Sequence, residues 1–300
     1  MNNMTKICFF EKEFVVFELM RYINVTNLLN STKLLKNVKK KFIYRKINKT
    51  YSLEYYKHEE FRMIIHNSVE NPNKQIGLNL RYCKKIKNVS VLGKVHTLDL
   101  SHCGKIKDVS ALGSIHTLDL SHCCENITDI SSLGKVHTLN LSFCHKITDV
   151  SALEKVHTLD LHHCKNLIDV SALGKVHTLD LSNCYNITDV SALGNVHTLT
   201  LNCCYNITDV SALGKVHTLD LNNCESISYV STLGNVHTLD LRHCNNLIDV
   251  SALGNVHTLN LSWCENITDV SALGKVHTLH LYNCDQITDV SALGKVHIIR

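Results

Sequence analysis

Val176-His177-Thr178-Leu179-Asp180-Leu181-Ser182-Asn183-Cys184-Tyr185-Asn186-Ile187-Thr188-Asp189-Val190-Ser191-Ala192-Leu193-Gly194-Asn195 is one period of a unit that recurs, nearly unchanged, eleven times between about Gln75 and the last residue. A fixed period of twenty residues is the signature of a stacked solenoid. One unit of that length cannot bury its own apolar face and must lay it against a neighbour. Within Thr178 to Ser182 the leucines alternate with polar residues, the period of a half-buried strand. Leu179 and Leu181 are therefore expected to point inward and Thr178, Asp180 and Ser182 outward. Cys184 turns the chain, Ile187 and Val190 return to the core, and Asp189 or Ser191 is placed to cap a brief turn over Ala192-Leu193 that Gly194 releases. The return is too short for a crossover helix, so turns or a 3₁₀ segment are expected on the outer face.

These residues resemble the leucine-rich repeat. Its pattern Leu-x-x-Leu-x-Leu-x-x-Asn/Cys is matched by Val176, Leu179, Leu181 and Cys184. The Cys-x-x-Ile-Thr-Asp segment is similar to the cysteine-containing subclass found in F-box proteins, while Asp-Val-Ser-Ala-Leu-Gly resembles the short bacterial-type subclass. The resemblance implies an α/β fold: a solenoid over residues 75–300 with one short parallel strand per rung and turns or 3₁₀ on the convex side. A small helical region over residues 1–74 precedes it.

The arrays are close copies. Residues 159–220 are echoed by 239–300, including Leu167-Ile168-Asp169 and Leu247-Ile248-Asp249, which points to duplication of a block of rungs. An extra residue at Cys123-Cys124 is expected to form a local bulge in a loop. The closing Ile298-Ile299-Arg300 falls inside what should be another strand, with no polar capping repeat, leaving truncation or dimerisation through that end open.

The formal charge of +4 conceals an asymmetry: residues 1–107 hold 21 Lys/Arg against 8 Asp/Glu, and residues 108–300 hold 10 against 19. No apolar run is long enough for a signal peptide or membrane span, so a cytoplasmic protein is expected, in the host cytoplasm if viral. Of the fourteen cysteines, eleven keep the repeat clock, at Cys83, Cys103, Cys123 (or Cys124), Cys144, Cys164, Cys184, Cys204, Cys224, Cys244, Cys264 and Cys284, and are spaced by architecture rather than by a disulfide framework. They are expected to be buried free thiols. No Cys-x-x-Cys pair exists, and ligands from successive rungs would lie in a line rather than around a tetrahedron.

The outward column Asn79, Asp99, Asp119, Asn140, Asp160, Asp180, Thr200, Asp220, Asp240, Asn260, His280 makes a broken acidic stripe. It reads either as a track for a basic partner segment or as acidic pairs with neutral breaks that relieve repulsion. Beside it the copies differ most, at His102, His122, Phe143, His163, Asn183, Cys203, Asn223, His243, Trp263 and Asn283. Phe143, Trp263 and Tyr282 are the candidate anchors for a protein partner. A further column of histidines runs from His96 to His297. Adjacent neutral imidazoles could chelate a transition metal, but a residue present in every rung is more simply a stacking or strand-entry feature. No metal or cofactor is assigned. Catalysis needs a unique constellation, and almost every polar residue here is copied many times, which argues against an enzyme.

The first 74 residues do not repeat and carry apolar residues at helical spacing over Phe14–Ile23 and Leu28–Val38. A small helical cap accounts for them. Glu18 to Leu29, followed by Lys33 and Lys36, also resembles the F-box: a helix ending in Tyr-Ile, a polar turn, then Leu-Leu and a Lys. The usual Leu-Pro opening is replaced by Phe10-Glu11-Lys12-Glu13, and no Trp follows. The resemblance implies that Leu19, Tyr22, Ile23, Leu28 and Leu29 contact a Skp1-like adaptor, making the chain a substrate receptor of a ubiquitin ligase. Near-identical arrays of this kind also resemble proteins of large DNA viruses. A scaffold without a ubiquitin link is the alternative. The basic run from Lys33 to Lys49 would suit phosphate backbones, but a solvated helix face explains it as well, and nucleic acid is not the expected partner.

Overall fold

The computed structural model describes residues 47–68, 76–123 and 126–300. Twelve strands lie in one sheet in strict chain order, all parallel, from β1 (Gly77–Asn79) through β6 (Thr178–Asp180) and β7 (Thr198–Thr200) to β12 (His297–Ile299). The twelfth is a strand beyond the eleven repeats counted in the sequence. Each strand is only three residues long, as at Thr178–Asp180. The polar residue on each side of Leu179 is half-exposed while Leu179 and Leu181 are fully buried, as the alternation requires. Pairing keeps copy against copy: Thr178 faces Thr198, Leu179 faces Leu199 and Asp180 faces Thr200.

Two departures from the period are absorbed locally. The longer rung still pairs Thr117 with Thr138, so its extra residue leaves the strand register unchanged; Cys124, where a bulge was expected, lies outside the described residues. At the last strand the pairing slips by one residue, Thr278 against His297. That slip sets Ile298 in the inward row beside Leu279, and Gly294 alone among the described glycines has a positive φ, 52°.

The outer face is a row of 3₁₀ segments, one per rung, such as Ser171–Lys175 and Ser191–Asn195. The turn into most of them is held by an acidic side chain: Asp189 Oδ1 accepts from Ser191 N at 2.8 Å, and Asp108, Asp129, Asp149, Asp169, Asp209, Asp249, Asp269 and Asp289 do the same; Asn88 makes the bond in the first turn, and Tyr229 replaces the aspartate in one rung. Gly194 has a different role from the expected release. It lies inside the 3₁₀ segment, and a Cβ there would stand 2.3 Å from the carbonyl oxygen of Ala212 in the next rung. Glycine at this place therefore permits close approach of successive outer turns rather than a left-handed backbone. Glu154 occupies the equivalent position in its own rung with right-handed dihedrals, so one rung yields where the others pack tightly.

One apolar core runs the length of the array. Each rung contributes the equivalents of Val176, Leu179, Leu181, Cys184, Ile187, Val190 and Leu193, essentially fully buried except at the ends of the array, where Cys83, Val290 and Val296 are only partly covered. The described cysteines are free thiols, and Cys83, expected to be buried like the others on the clock, is only half-buried in the first rung. Each buried Sγ donates to a leucine carbonyl of the preceding rung, as Cys184 does to Leu161 O at 3.2 Å, and burial raises the Cys103 pKa to about 11. The thiol column therefore serves as packing and a weak inter-rung bond, and it is chemically quiet.

The core continues past residue 74 into two helices, α1 (Lys49–Lys57) and α2 (Glu59–Ser68). Ile47 adds a parallel bridge to the exposed edge of β1 at Leu78. Ser52 Oγ ties the helix to the sheet, donating to Ile47 O and accepting from Asn79 N. Ile47, Tyr55 and Ile65 are buried on the first core layer. These helices thus cap the first rung. The helical segments proposed around Phe14–Val38, with Leu19, Tyr22, Ile23, Leu28 and Leu29, lie outside the described residues. No helix among the described residues is long and apolar enough to cross a membrane.

Inward and outward positions are expected to differ sharply in tolerance. Leu179→Ala should lower the stability of the array by about 2–5 kcal/mol, while Lys175→Ala on the outer face should change it by less than about 0.5 kcal/mol. Denaturant titration of both variants checks this, and equal sensitivity would contradict the assignment.

Candidate functional site

The sheet presents three parallel columns to solvent, each produced by one position of the repeat. At the strand entrance stand the histidines. Ten of them, His96, His116, His137, His157, His177, His197, His217, His237, His257 and His277, stack ring on ring with centroids 4.5–4.7 Å apart and planes within 12° of parallel. Each Nδ1 lies 3.0–3.3 Å from the hydroxyl of the threonine that follows it. His297, displaced by the slipped register, does not join the described stacks. The rings stand at the strand entrance rather than in the core. They lie on the rim, exposed from His116 onward.

Along the middle runs the acidic column. Asp99, Asp119, Asp160, Asp180, Asp220 and Asp240 are half-buried. In each, Oδ1 accepts from the backbone N–H two residues on, for example Ser182 N to Asp180 at 2.8 Å and Arg242 N to Asp240 at 3.0 Å. Asn140 and Asn260 make the same bond. The column therefore shapes the turn at the strand exit, and an amide performs this as well as a carboxylate. Burial pushes the Asp160 and Asp220 carboxyls above their ordinary value, with the neighbouring Asp180 and Asp240 adding to the effect. Arg242 answers this charge locally, its Nε 2.9 Å from Asp240 Oδ2.

The third column varies from copy to copy. From Tyr82 and His102 through Phe143 and Asn183 to Trp263 and Asn283, every member has a left-handed backbone, with φ between 54° and 65°. The reason lies in the rung contacts: Asn183 N must turn to reach Asn202 O at 2.8 Å while Cys184 N folds back to Leu181 O. Asparagine and histidine tolerate this region better than other non-glycine residues, which accounts for Asn183, Asn223, Asn283, His102, His122, His163 and His243. It does not account for Cys203, nor for Tyr82, Phe143 or Trp263. Bulky residues there carry on the order of 1–2 kcal/mol of backbone strain, and each puts its ring into a stack.

Tyr82, His102, His122, Phe143 and His163 form a continuous pile with centroid spacings of 4.1–4.7 Å. His243 and Trp263 stack at 5.3 Å, and Tyr282 lies tilted at 5.7 Å from Trp263. Arg81 sits over Tyr82 at 4.9 Å, with Lys49 at 5.9 Å. Tyr282, 54% exposed, and Tyr82, 50% exposed, are the open ends of these piles. Phe143 and Trp263 are half-buried between their neighbours.

Phe143, Trp263 and Tyr282 thus share one rim beside the acidic column. Phe143 stands six rungs from Trp263, so they belong to two ring clusters. Tyr82 was missed because its copy, Arg81-Tyr82-Cys83, departs from the common sequence. The position of Cys83 on the repeat clock is the signal that places it in this column. The left-handed backbone itself left no signature beyond the frequency of Asn and His. Among the described residues no group of three or more His, Cys, Asp or Glu converges as a metal cage.

The leucine-rich-repeat family model matches residues 135–154 and 255–274. Among solved structures, an internalin (InlF) from Listeria monocytogenes is similar at TM-score 0.50 and 23% identity, over 74% of this chain and 79% of that one. The functional domain of InlJ from Listeria monocytogenes, which includes a cysteine ladder, is 21% identical with a TM-score of 0.44, over 73% of this chain and 59% of that one. The leucine-rich-repeat ectodomain of the Arabidopsis receptor kinase HAESA, in complex with an N-terminally extended IDA peptide hormone, is 19% identical with a TM-score of 0.41, over 64% of this chain and 39% of that one. No curated protein matches the sequence. Strand order, period and the internalin likeness agree on a leucine-rich-repeat solenoid.

Two tests follow from this geometry. Asp180→Asn keeps the Oδ1 acceptor for Ser182 and should be near neutral, whereas Asp180→Ala strands that N–H and should cost about 1–2 kcal/mol. Equal effects would contradict the turn-shaping role. The second concerns pH. The pKa values of His116, His177 and His257 lie below the ordinary value, through loss of solvation first and the neighbouring imidazole second. The unfolded chain, with histidines near 6.5, therefore takes up protons before the folded one. This stability is present above about pH 6.5 and is lost as pH falls through the lower folded values. A thermal midpoint that drops between pH 7.5 and 5.5 is expected, and a flat profile would contradict the stacked column.

Proposed function

We propose that the solenoid is a non-enzymatic protein-recognition module, and that a partner segment lies along the acidic column with its side chains against the two ring clusters. One observation carries this reading. Bulky rings occupy Tyr82, Phe143 and Trp263 despite a left-handed backbone that favours asparagine, and each ring stands in an aromatic stack. Local backbone energetics would have placed Asn or His there, so what distinguishes these copies is the ring each adds to the exposed rim. The acidic pairs Asp99/Asp119, Asp160/Asp180 and Asp220/Asp240 suit a partner with spaced basic residues. Large aromatic anchors beside such a track are the residues that dominate binding energy in protein interfaces.

The finer reading rests on the resemblance of Glu18–Lys36 to an F-box. In it, Leu19, Tyr22, Ile23, Leu28 and Leu29 dock a Skp1-like adaptor, and the solenoid holds a substrate for ubiquitination. Supporting this reading, α1 and α2 give the array a packed first layer, so a module preceding Ile47 would be carried on a fixed end. The acidic and aromatic rim equally suits a scaffold with no ubiquitin link.

Affinity capture of the full chain followed by mass spectrometry separates the two. Recovery of a Skp1-like adaptor with a cullin, lost on Leu28→Asp with Leu29→Asp, is the expected result for the receptor. Absence of the adaptor where a known F-box protein recovers it leaves the scaffold. For the rim, Phe143→Asn and Trp263→Asn relieve backbone strain but lose a stack, so stability should change by less than about 1 kcal/mol. Partner affinity should fall by about 2 kcal/mol or more. Undiminished binding by both variants would remove the ring clusters from the site.

A further inference from the structure

We propose that the histidine column is a linear array of two-histidine sites for a borderline divalent transition metal such as Zn²⁺ or Cu²⁺. Four observations converge on it. The rings are the right donors, since imidazole nitrogen binds these ions in preference to hard cations such as Mg²⁺. They are accessible, exposed in nine of the ten stacked copies. They are oriented: each Nδ1 is paired with the hydroxyl of the next residue, as His177 is with Thr178 at 3.2 Å. When Nδ1–H donates to that oxygen, the lone pair is on Nε2, which is how a second-shell acceptor prepares a histidine ligand. The pairing recurs along the column because His and Thr are adjacent in the repeat.

The fourth observation is spacing. Neighbouring rings are nearly parallel at 4.6 Å, as in His177–His197 and His237–His257. Equivalent nitrogens on successive rungs therefore lie at a comparable separation. Two nitrogens about 2.0–2.1 Å from one tetrahedral ion are about 3.3–3.4 Å apart, and an imidazole lone pair lies in the plane of its ring, so a pair has to close by about an ångström and its two rings have to turn toward each other out of the parallel stack. Exposed side chains on neighbouring strands have that freedom, and water completes the coordination shell. Converging three rings on one ion would pull the outer two across a whole extra rung, in keeping with the lack of a three-ligand cluster among the described residues. Each ion therefore bridges two adjacent rungs, and the ten stacked rings pair off into at most five such sites. Nothing comparable holds for the cysteine column, whose thiols are buried and occupied with leucine carbonyls.

The test exploits the linear arrangement. Two full-length variants each replace five histidines by asparagine. One removes alternate rungs, at His116, His157, His197, His237 and His277, leaving no adjacent pair. The other removes a block, His197, His217, His237, His257 and His277, leaving His96 to His177 contiguous. In Zn²⁺ titrations followed by calorimetry at pH 7.5, wild type should take up several ions and the block variant about half as many with unchanged affinity. The alternate variant should bind at least about tenfold more weakly, because the second imidazole is no longer held at high effective concentration.

Equal loss in the two variants would mean that histidines act singly and would overturn the proposal, as would absence of Zn²⁺ uptake by wild type. Should the alternate variant fail to fold, pulsed electron paramagnetic resonance of Cu²⁺ bound to wild type decides. Two imidazole nitrogens per ion support the paired site, and one nitrogen overturns it.

Discussion

The lateral hydrogen bonds between rungs are the constraint from which the rest of this structure follows. Within one period, His177 N and Thr178 N reach back to His157 O, while Leu181 N and Asn183 N reach forward to Thr200 O and Asn202 O. Every rung thus depends on both neighbours for its backbone groups, and an isolated rung would leave them to solvent while exposing its apolar face. The turn at Asn183 is left-handed because its N–H has to meet the next rung. The outer 3₁₀ segments come close enough to exclude a Cβ at Gly194 because they follow the same spacing.

Once rungs stack in register, every position becomes a column of its own copies, and the chemistry of self-stacking decides what each column can hold. Leucine and cysteine stack favourably in the core. Neutral imidazoles stack well at 4.6 Å, but two charged ones at that distance repel by about 1 kcal/mol even in water. Carboxylates face the same penalty. In this array they are either spread on the exposed outer face, with the Ser171 hydroxyl and amide lowering the Asp169 pKa and the Ser191 amide and hydroxyl that of Asp189, or interrupted on the sheet by Asn140, Thr200 and Asn260. The amide at Asn140 keeps the turn bond that Asp160 and Asp180 make. Relief of repulsion therefore accompanies any partner-binding use of the acidic pairs.

Much of this was legible in the residues. The alternation Leu179-Asp180-Leu181 and the twenty-residue clock suffice for a parallel solenoid, because both are properties of a short local pattern repeated. Three features were hidden because they depend on contacts between rungs. Gly194 looked like a stop signal, although its reason lies in Ala212 of the next rung. Tyr82 escaped notice as an anchor because only the register of Cys83 aligns it with His102 and Phe143. The direction of the histidine rings was undecidable from alternation at a strand entrance, where the period-two rule has not yet taken hold. The residues proposed to bind an adaptor, Leu19 to Leu29, rest on resemblance alone, since they lie outside the described residues.

Period-matched excision tests the central claim, that register between copies carries the fold. Removing Lys175–Gly194, one whole period, brings Gly174 against Asn195 and restores the pattern, whereas removing Lys175–Cys184 leaves half a rung. The excision of a full period should give a shorter array that unfolds cooperatively in denaturant, with an m-value lowered by about a tenth in proportion to the surface lost. The half-period excision should lose cooperativity. If both deletions unfold alike, whether both cooperatively or neither, inter-rung register is not what holds the protein together.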